Sequence, residues 1–301
     1  MTGSERGWSQ KVDISVEGAQ QFIKTNNPEV KAMKTMRYLI ASAVIASVTA
    51  STEAKADTCE AKFSFEPIRA GVLTVALTNT PPYSVEKDGV SGIDGDILQK
   101  FAKDNCLKIE YEIFSYPAAV SAVQTGRADI AIGGFYRTAA RAKVVALSNA
   151  VYLDQVSVES KEGFETVDQL KGKRVGTVEG YSWVSDLEKL YENVKTYPSS
   201  LNLAQDVQAG RIDAGIEGFG AAADLTKGTD VKVKLYQPDP RVKATTLPTQ
   251  TAFLMSNSNA PLASAVNESL ENYRKTGAIA EVLTSYGLPT SAADVGDNKE
   301  Y

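Results

Sequence analysis

The sequence contains no histidine. That absence excludes Ser-His-Asp and Cys-His catalysis, which need an imidazole base. It also excludes histidine-bearing zinc sites, and two cysteines are too few for an all-thiolate one. No metal and no cofactor is expected. The charge balance lacks a basic excess: the formal net charge is -5, so the chain as a whole carries no nucleic-acid footprint and no nucleic-acid partner is expected. Low-complexity tracts and short solenoid-type repeats are also missing. Long apolar runs are confined to one place near the beginning. What remains is ordinary for a globular protein, with 43% hydrophobic and 23% charged residues in a chain of 301, enough for about two domains. A monomer is expected.

The single apolar run reads as an address. Lys31, Lys34 and Arg37 flank Met33 and Met36, an apolar stretch follows from Tyr38 to Ala50, and Ala54-Lys55-Ala56 is a small-x-small cleavage pattern. This charged, apolar, small-residue order is that of a secretory signal peptide over 33–56. The run is short for a membrane span, which needs ~20 residues. Residues 1–32 read as an upstream extension, with the start at Met33 or Met36 and a mature chain beginning near Asp57. Export to the periplasm of a Gram-negative cell follows, and with it an oxidising compartment. Cys59 and Cys106 both survive cleavage, so they are either joined in one disulfide or remain as two buried thiols. The neighbours of Cys59, Ala56-Asp57-Thr58, are not a lipobox, which favours a soluble form over a lipid-anchored one.

The mature chain alternates strands and helices. Leu73–Leu77, Ile109–Ile113 and Asp129–Ile132 have the β-branched, apolar character of buried strands. Between them, Ile93, Ile97, Leu98, Phe101 and Ala102 fall at helical spacing, and a second helix over Ala118–Thr125 stops at Gly126. The pattern then restarts. Arg174–Val178 and Ile212–Ile216 read as strands, with helices over Trp183–Tyr191 and Leu203–Ala209. Gln124-Thr125-Gly126-Arg127-Ala128-Asp129-Ile130 is echoed by Gln208-Ala209-Gly210-Arg211-Ile212-Asp213-Ala214, which suggests two lobes of similar βαβ design. A strand over Thr251–Met255 and helices over Leu262–Lys275 and Ile279–Tyr286 close the pattern, and residues past Leu288 read as loosely attached.

An ordered set of motifs now carries a resemblance. It runs from Pro81-Pro82-Tyr83 through Gly92-Ile93-Asp94-Gly95-Asp96-Ile97-Leu98 and Gly126-Arg127-Ala128-Asp129 to Gly133-Gly134-Phe135-Tyr136-Arg137-Thr138-Ala139-Ala140-Arg141. Leu147-Ser148-Asn149-Ala150-Val151-Tyr152, Asp168-Gln169-Leu170-Lys171-Gly172-Lys173-Arg174-Val175-Gly176 and Gly180-Tyr181-Ser182 complete it. From about Phe63 to Leu288 the chain resembles the polar amino-acid solute-binding proteins of ABC importers (family 3 type). The resemblance implies an α/β, two-lobed periplasmic binding protein-like fold (type II), each lobe a mostly parallel sheet flanked by helices. Lobe 1 is expected from 57–154 and 250–290, lobe 2 from 157–247, with a loose tail over 291–301. A two-strand hinge is expected near Leu153 to Val158 and Thr246 to Thr251, with ligand held between the lobes.

The same resemblance implies roles. Arg141 would clamp a ligand carboxylate with two parallel hydrogen bonds. Thr138 would cap the helix whose first amides add donors for an anion. Gly134 and Tyr136 match positions whose backbone meets the ligand, and Asn79 belongs to the same first-lobe set. Tyr83 and Tyr116 would offer flat walls and, to a cation, cation–π contact. Tyr181 and Ser182 would reach in from the second lobe at a helix start. One departure stands out. The aspartate that holds a free α-amino group falls, here, on Gly218, beside Glu217. Either the strand bulges so that Glu217 substitutes, or the ammonium anchor is missing, as suits an opine-like conjugate or a carboxylate without an amine. The partners expected are a carboxylate-bearing small molecule and the membrane subunits of an ABC importer. Two other classes compete on this fold: a dehydratase-like enzyme using Glu217, Glu179 or a lysine as acid or base, and a sensor module that passes ligand to a membrane receptor.

Overall fold

A computed structural model of the protein describes residues 59–247 and 249–301. The signal peptide read over 33–56, the extension over 1–32 and the mature start near Asp57 lie outside the described residues. The chain opens with β1 (Val72–Leu77), a small hairpin of β2 (Val85–Glu86) and β3 (Val90–Ser91), helix α1 (Gly92–Asp104), β4 (Lys108–Ile113), α2 (Tyr116–Gln124) and β5 (Ile130–Ile132). A one-turn helix α3 (Ala139–Ala142) and β6 (Ala146–Leu147) follow. The chain then crosses through β7 (Leu153–Asp154) into β8 (Val156–Ser160), β9 (Val175–Val178), α4 (Val184–Leu190), β10 (Val194–Tyr197), α5 (Ser200–Gln208), β11 (Ala214–Gly218), α6 (Phe219–Leu225) and β12 (Lys232–Leu235). It returns through β13 (Thr249–Gln250) to β14 (Leu254–Met255), α7 (Ala260–Lys275) and α8 (Ala278–Ser285).

Two five-stranded sheets result, in the orders β4-β1-β5-β14-β6 and β10-β9-β11-β8-β12. The crossing strands β7 and β13 pair antiparallel, Asp154 with Thr249 and Leu153 with Gln250. Each sheet has a parallel trio joined by helices, then two antiparallel strands: β14 against β5 and β6 in one, β8 against β11 and β12 in the other. The sheets are therefore the same design used twice, less uniformly parallel than the helix–strand alternation implies. The echoed heptapeptides occupy equivalent places. Gly126 and Gly210 both take the left-handed conformation that ends a helix, at φ 71° and 67°. The aspartate that follows locks the next strand: Asp129 accepts the Thr74 amide at 2.8 Å, and Asp213 accepts the Arg174 amide at 2.7 Å. In each case the bonded residue immediately precedes the central parallel strand's pairing partner, Val75 or Val175.

The helical stripe read in α1 faces inward, where Ile93, Ile97, Leu98, Phe101 and Ala102 are all buried against β1, β5 and the inner face of α7. Asn259 caps α7 by accepting the Leu262 amide, with Pro261 in the first turn, where its missing N–H costs nothing. A second core fills the other lobe around Val158, Val175, Val178, Leu187, Leu203 and Ile216. Cys59 and Cys106 form a disulfide that ties the N-terminal segment to the end of α1. The stretch past Leu288 differs from its sequence reading. Residues Thr290–Ala293 form a 3-10 turn with Ala292 and Ala293 buried, and residues beyond them are bound along the lobe rather than loose. A polar composition read as solvated instead supplies hydrogen-bonding groups to buried side chains. Among the described residues no helix is long and apolar enough to cross a membrane.

Candidate functional site

The cleft between the sheets is lined by Tyr83, Tyr116, Gly134, Tyr136 and Arg141 on one side and by Tyr181, Ser182, Trp183, Glu217 and Gly218 on the other, with Asp154 of the crossing strand at its base. The lobes meet closely, and the cavity left between them is about 10 Å³, room for roughly one water. Tyr116 and Tyr181 touch edge-to-face across the cleft at 4.8 Å between ring centres, and Tyr136 leans on Trp183 at 5.4 Å.

The loop from Gly133 to Arg137 carries the first-lobe wall, and it is held from two sides. The amides of Gly133 and Gly134 both donate to Asp94 at 2.9 and 2.8 Å, and Tyr152 donates its hydroxyl to the same carboxylate. Burial raises the Asp94 carboxyl to about 6, against the pull of those three donors. On the other side the loop pairs with the returning chain, where the Arg137 amide donates to Gln250 and the Ala252 amide to Phe135, both at 2.8 Å. Gly134 packs under the ring of Tyr83, and a Cβ there would lie 2.7 Å from the ring. The Gly134 amide thus points inward to Asp94, leaving its outer face for the cavity.

Arg141 is half-buried, with its guanidinium 5.2 Å above the Phe135 ring. It donates to the Tyr136 carbonyl at 2.7 Å and, across the cleft, to the Gly180 carbonyl at 3.2 Å. Among the described residues no carboxylate lies within salt-bridge distance of it. Burial lowers its pKa, and nearby tyrosines push the other way. Thr138 caps α3 by accepting the Arg141 amide at 3.1 Å, which fixes where the guanidinium starts from. α3 has a single turn, too short for a useful dipole, and the Ala139 amide is already bonded to the main-chain oxygen of Tyr301. Asn79 also stands apart: it is exposed, and its side chain accepts the Glu86 amide at 3.0 Å.

The opposite face is acidic. Glu217 is buried, with one carboxyl oxygen accepting the Tyr181 hydroxyl at 2.6 Å and the Gly218 amide at 2.9 Å. Its other oxygen has no partner among the described residues. Burial pushes the Glu217 carboxyl up to about 7, although its donors favour the charged form. Behind it, Glu159 of β8 is buried with neither oxygen bonded, and burial together with the charge of Glu217 raises it further. The strand does not bulge here: Glu217 pairs with Ser157 and Gly218 with Val156 in regular register.

Asp154 was not singled out from the sequence, and its carboxylate lies beside Gly218. Its Oδ2 accepts the hydroxyls of Tyr83 and Tyr136, both at 2.7 Å, and its Oδ1 accepts the Gly220 amide at 3.3 Å. A Cβ on Gly218 would lie 2.6 Å from that Oδ2. A carboxylate from the crossing strand therefore occupies the space a side chain at 218 would need. The signal in the sequence was an acid in the otherwise apolar run Val151-Tyr152-Leu153-Asp154. Trp183, read only as a helix start, is the other unforeseen wall, and its indole N–H donates to Thr177 at 2.9 Å. Glu179 is exposed and does not line the cavity. Gly218 has φ -63° and ψ 138°, open to any residue, so only space restricts it. Gly218→Ala is expected to cost about 1–3 kcal/mol by overpacking. Urea denaturation measures this, and the loss should shrink in an Asp154→Ala background; an equal loss there would place the clash elsewhere.

Two similar sheets, a two-strand crossing and a cleft in which an arginine with no carboxylate partner among the described residues faces buried acid define a protein built to enclose a small solute between lobes. The family of bacterial extracellular solute-binding proteins, family 3, matches residues 73–289, and the chain belongs to it. A probable amino-acid ABC transporter periplasmic-binding protein of Sinorhizobium fredii is 27% identical over 253 residues, covering 78% of this chain and 83% of that protein. An L-cystine-binding protein of Escherichia coli is 26% identical over 219 residues, covering 69% and 80%. Among solved structures, EhuB in complex with hydroxyectoine superposes with a TM-score of 0.65 at 21% identity, covering 75% of this chain and 92% of that one. An ancestral arginine-binding protein bound to arginine gives 0.63 at 22% identity, covering 73% and 99%. These last two speak to the fold.

Proposed function

We propose that the chain captures an amino acid or amino-acid derivative in the periplasm and delivers it to the membrane subunits of an ABC importer. The observation that carries this reading is Arg141: a half-buried guanidinium in the cleft, bonded to main-chain carbonyls and with no carboxylate partner among the described residues. A ligand carboxylate replaces weak neutral acceptors with a charge-assisted, two-point bond. Across the cavity the free oxygen of Glu217 and the carboxyl of Asp154 receive a nitrogen cation. Tyr83, Tyr116, Tyr136, Tyr181 and Trp183 surround that end, which favours an alkylated or delocalised cation over a bare ammonium. The cavity is too small for such a ligand, so capture proceeds by the lobes parting about β7 and β13 and closing again.

Names of the relatives support a binding role rather than an enzymatic one. Mass spectrometry of small molecules released by denaturing the purified protein tests the proposal. The expected result is a compound with one carboxylate and one nitrogen cation that raises the melting temperature when returned to the refolded protein, without being consumed. Conversion of that compound into a product would overturn the reading in favour of an enzyme.

A further inference from the structure

Beyond Ala293 the chain runs over the crossing strands and brings Tyr301 to the mouth of the cleft. Gln250 of β13 is buried, yet its side-chain amide donates to the carbonyls of Val295 and Asp297 at 2.8 and 2.7 Å and accepts the Lys299 amide at 2.7 Å. Asn298 exchanges two bonds with the segment before β7, accepting the Ala150 amide at 2.9 Å and donating to Asn149 at 2.8 Å. Arg137 is only 6% exposed and directs its guanidinium at the Lys299 carbonyl and the Glu300 carboxylate, 3.3 and 3.2 Å away. Two buried polar side chains of the first lobe and crossing strand therefore bond to this tail, mostly as donors. Arg137 also donates to the Ser148 carbonyl, but every side-chain bond of the buried Gln250 goes to this tail, and leaving that amide unpaired would cost free energy, so the dock is built into the fold rather than a chance contact. Tyr301 then makes the crossing. Its main-chain oxygen accepts the Ala139 amide of the first lobe at 3.2 Å, and its hydroxyl bonds to Ser182 of the second. Its ring packs at the edge of the aromatic cluster, and its hydroxyl is pushed up to about 12 by burial, with Arg141 and Ser182 pulling it down.

We propose that residues 295–301 are a strap holding the two lobes closed, and that Tyr301 is a positioning residue that fixes Ser182 at the mouth of the ligand cleft. The strap is anchored on one lobe and on the crossing strands, where little moves as the lobes part. Its single bond to the other lobe must break on opening. It is therefore a latch acting at the point of largest displacement, and it shifts the balance towards the closed arrangement. Tyr301 does not line the cavity itself, so it acts by closing the mouth rather than by occupying the site.

This inference deepens the binding reading but is tested without any ligand. The protein is unfolded, dialysed and refolded to remove small molecules, and lobe separation is read by small-angle X-ray scattering. Trp183 fluorescence gives a second reading, since that indole lies in the closed cleft. Tyr301→Ala keeps the anchor at Gln250 and Arg137 and removes the crossing contact. Ser182→Ala removes the partner from the opposite side, and a chain ending at Asp294 removes the whole strap. The expected result is a larger radius of gyration and red-shifted Trp183 emission in all three, relative to the parent, with far-ultraviolet circular dichroism unchanged in the two point variants. Dimensions and emission equal to the parent's in Tyr301→Ala and Ser182→Ala would overturn the proposal, as would a more compact truncated chain. A failure here leaves the mass-spectrometric test of ligand capture standing, and a failure there leaves the latch measurable.

Discussion

Arg141→Ala should weaken binding of the captured carboxylate by about 2–5 kcal/mol, roughly 30- to 5,000-fold, with little change in the stability of the protein alone. The asymmetry follows from its partners. Without ligand, Arg141 donates to two carbonyls, Tyr136 and Gly180, and stacks over Phe135, so its removal deletes modest neutral bonds at a half-buried site. With ligand, it carries the one cation within reach of the carboxylate, since no lysine lines the cavity. Arg141→Lys should recover only part of the loss, because a point charge cannot make the two parallel bonds of a guanidinium. Isothermal titration of the parent and both variants with the compound identified by mass spectrometry measures the effect. Equal affinity in Arg141→Ala would remove the residue from the site.

The second large effect is on pH dependence, through Glu217. Burial holds its carboxyl at about 7, above the usual 4.5. Below pH 4.5 it is protonated both folded and unfolded and has no effect on stability. As pH rises from there to 7 the unfolded chain ionises and the folded one does not, so folding loses stability. Above 7 the loss levels off at about 3 kcal/mol, since each pH unit separating the two ionisations costs about 1.4 kcal/mol. Asp94, Asp154 and Glu159 are raised as well and act in the same direction, so the parent's curve is a sum. Glu217→Gln isolates one share: its stability should exceed the parent's progressively from pH 5 to 7, with the difference constant above that. Ligand binding has the opposite slope. A nitrogen cation beside Glu217 requires the carboxylate, so below pH 7 binding must release its proton. Affinity should rise up to about tenfold per pH unit towards 7 and flatten above it. In Glu217→Gln the affinity should be lower at pH 8 and nearly flat across this range. A parent whose affinity does not change between pH 5.5 and 8 would show that the ligand brings no cation to this face.

Much of the architecture was legible because it depends on local pattern. The inward stripe of α1 and the strands at Leu73–Leu77 and Arg174–Val178 follow from the periodic burial of apolar side chains. The echo of Gln124–Ile130 in Gln208–Ala214 was legible for a sharper reason. A helix end, a left-handed glycine and a strand-locking aspartate must fall at fixed spacing, and the two lobes solve that problem identically. Short or edge elements were harder. β10 (Val194–Tyr197) and β12 (Lys232–Leu235) carry too few buried residues to stand out, and α6 is a run of small residues whose burial depends on what packs over it.

The sequence by itself determined the family, the doubled α/β design and the presence of Arg141 after the loop that starts at Gly133, because these rest on motif order and periodicity along the chain. Only the tertiary structure decided which groups meet. Asp154 stands in the space left by Gly218, 64 positions on, and Tyr301 reaches Ser182, 119 positions back. It also removed one expectation, since Asn79 turns to the surface. The physical reason is the same in each case. Hydrogen bonding and exclusion in a closed cleft depend on distances of about 3 Å between residues from different elements, and a pattern read along one strand or helix holds no information about those distances.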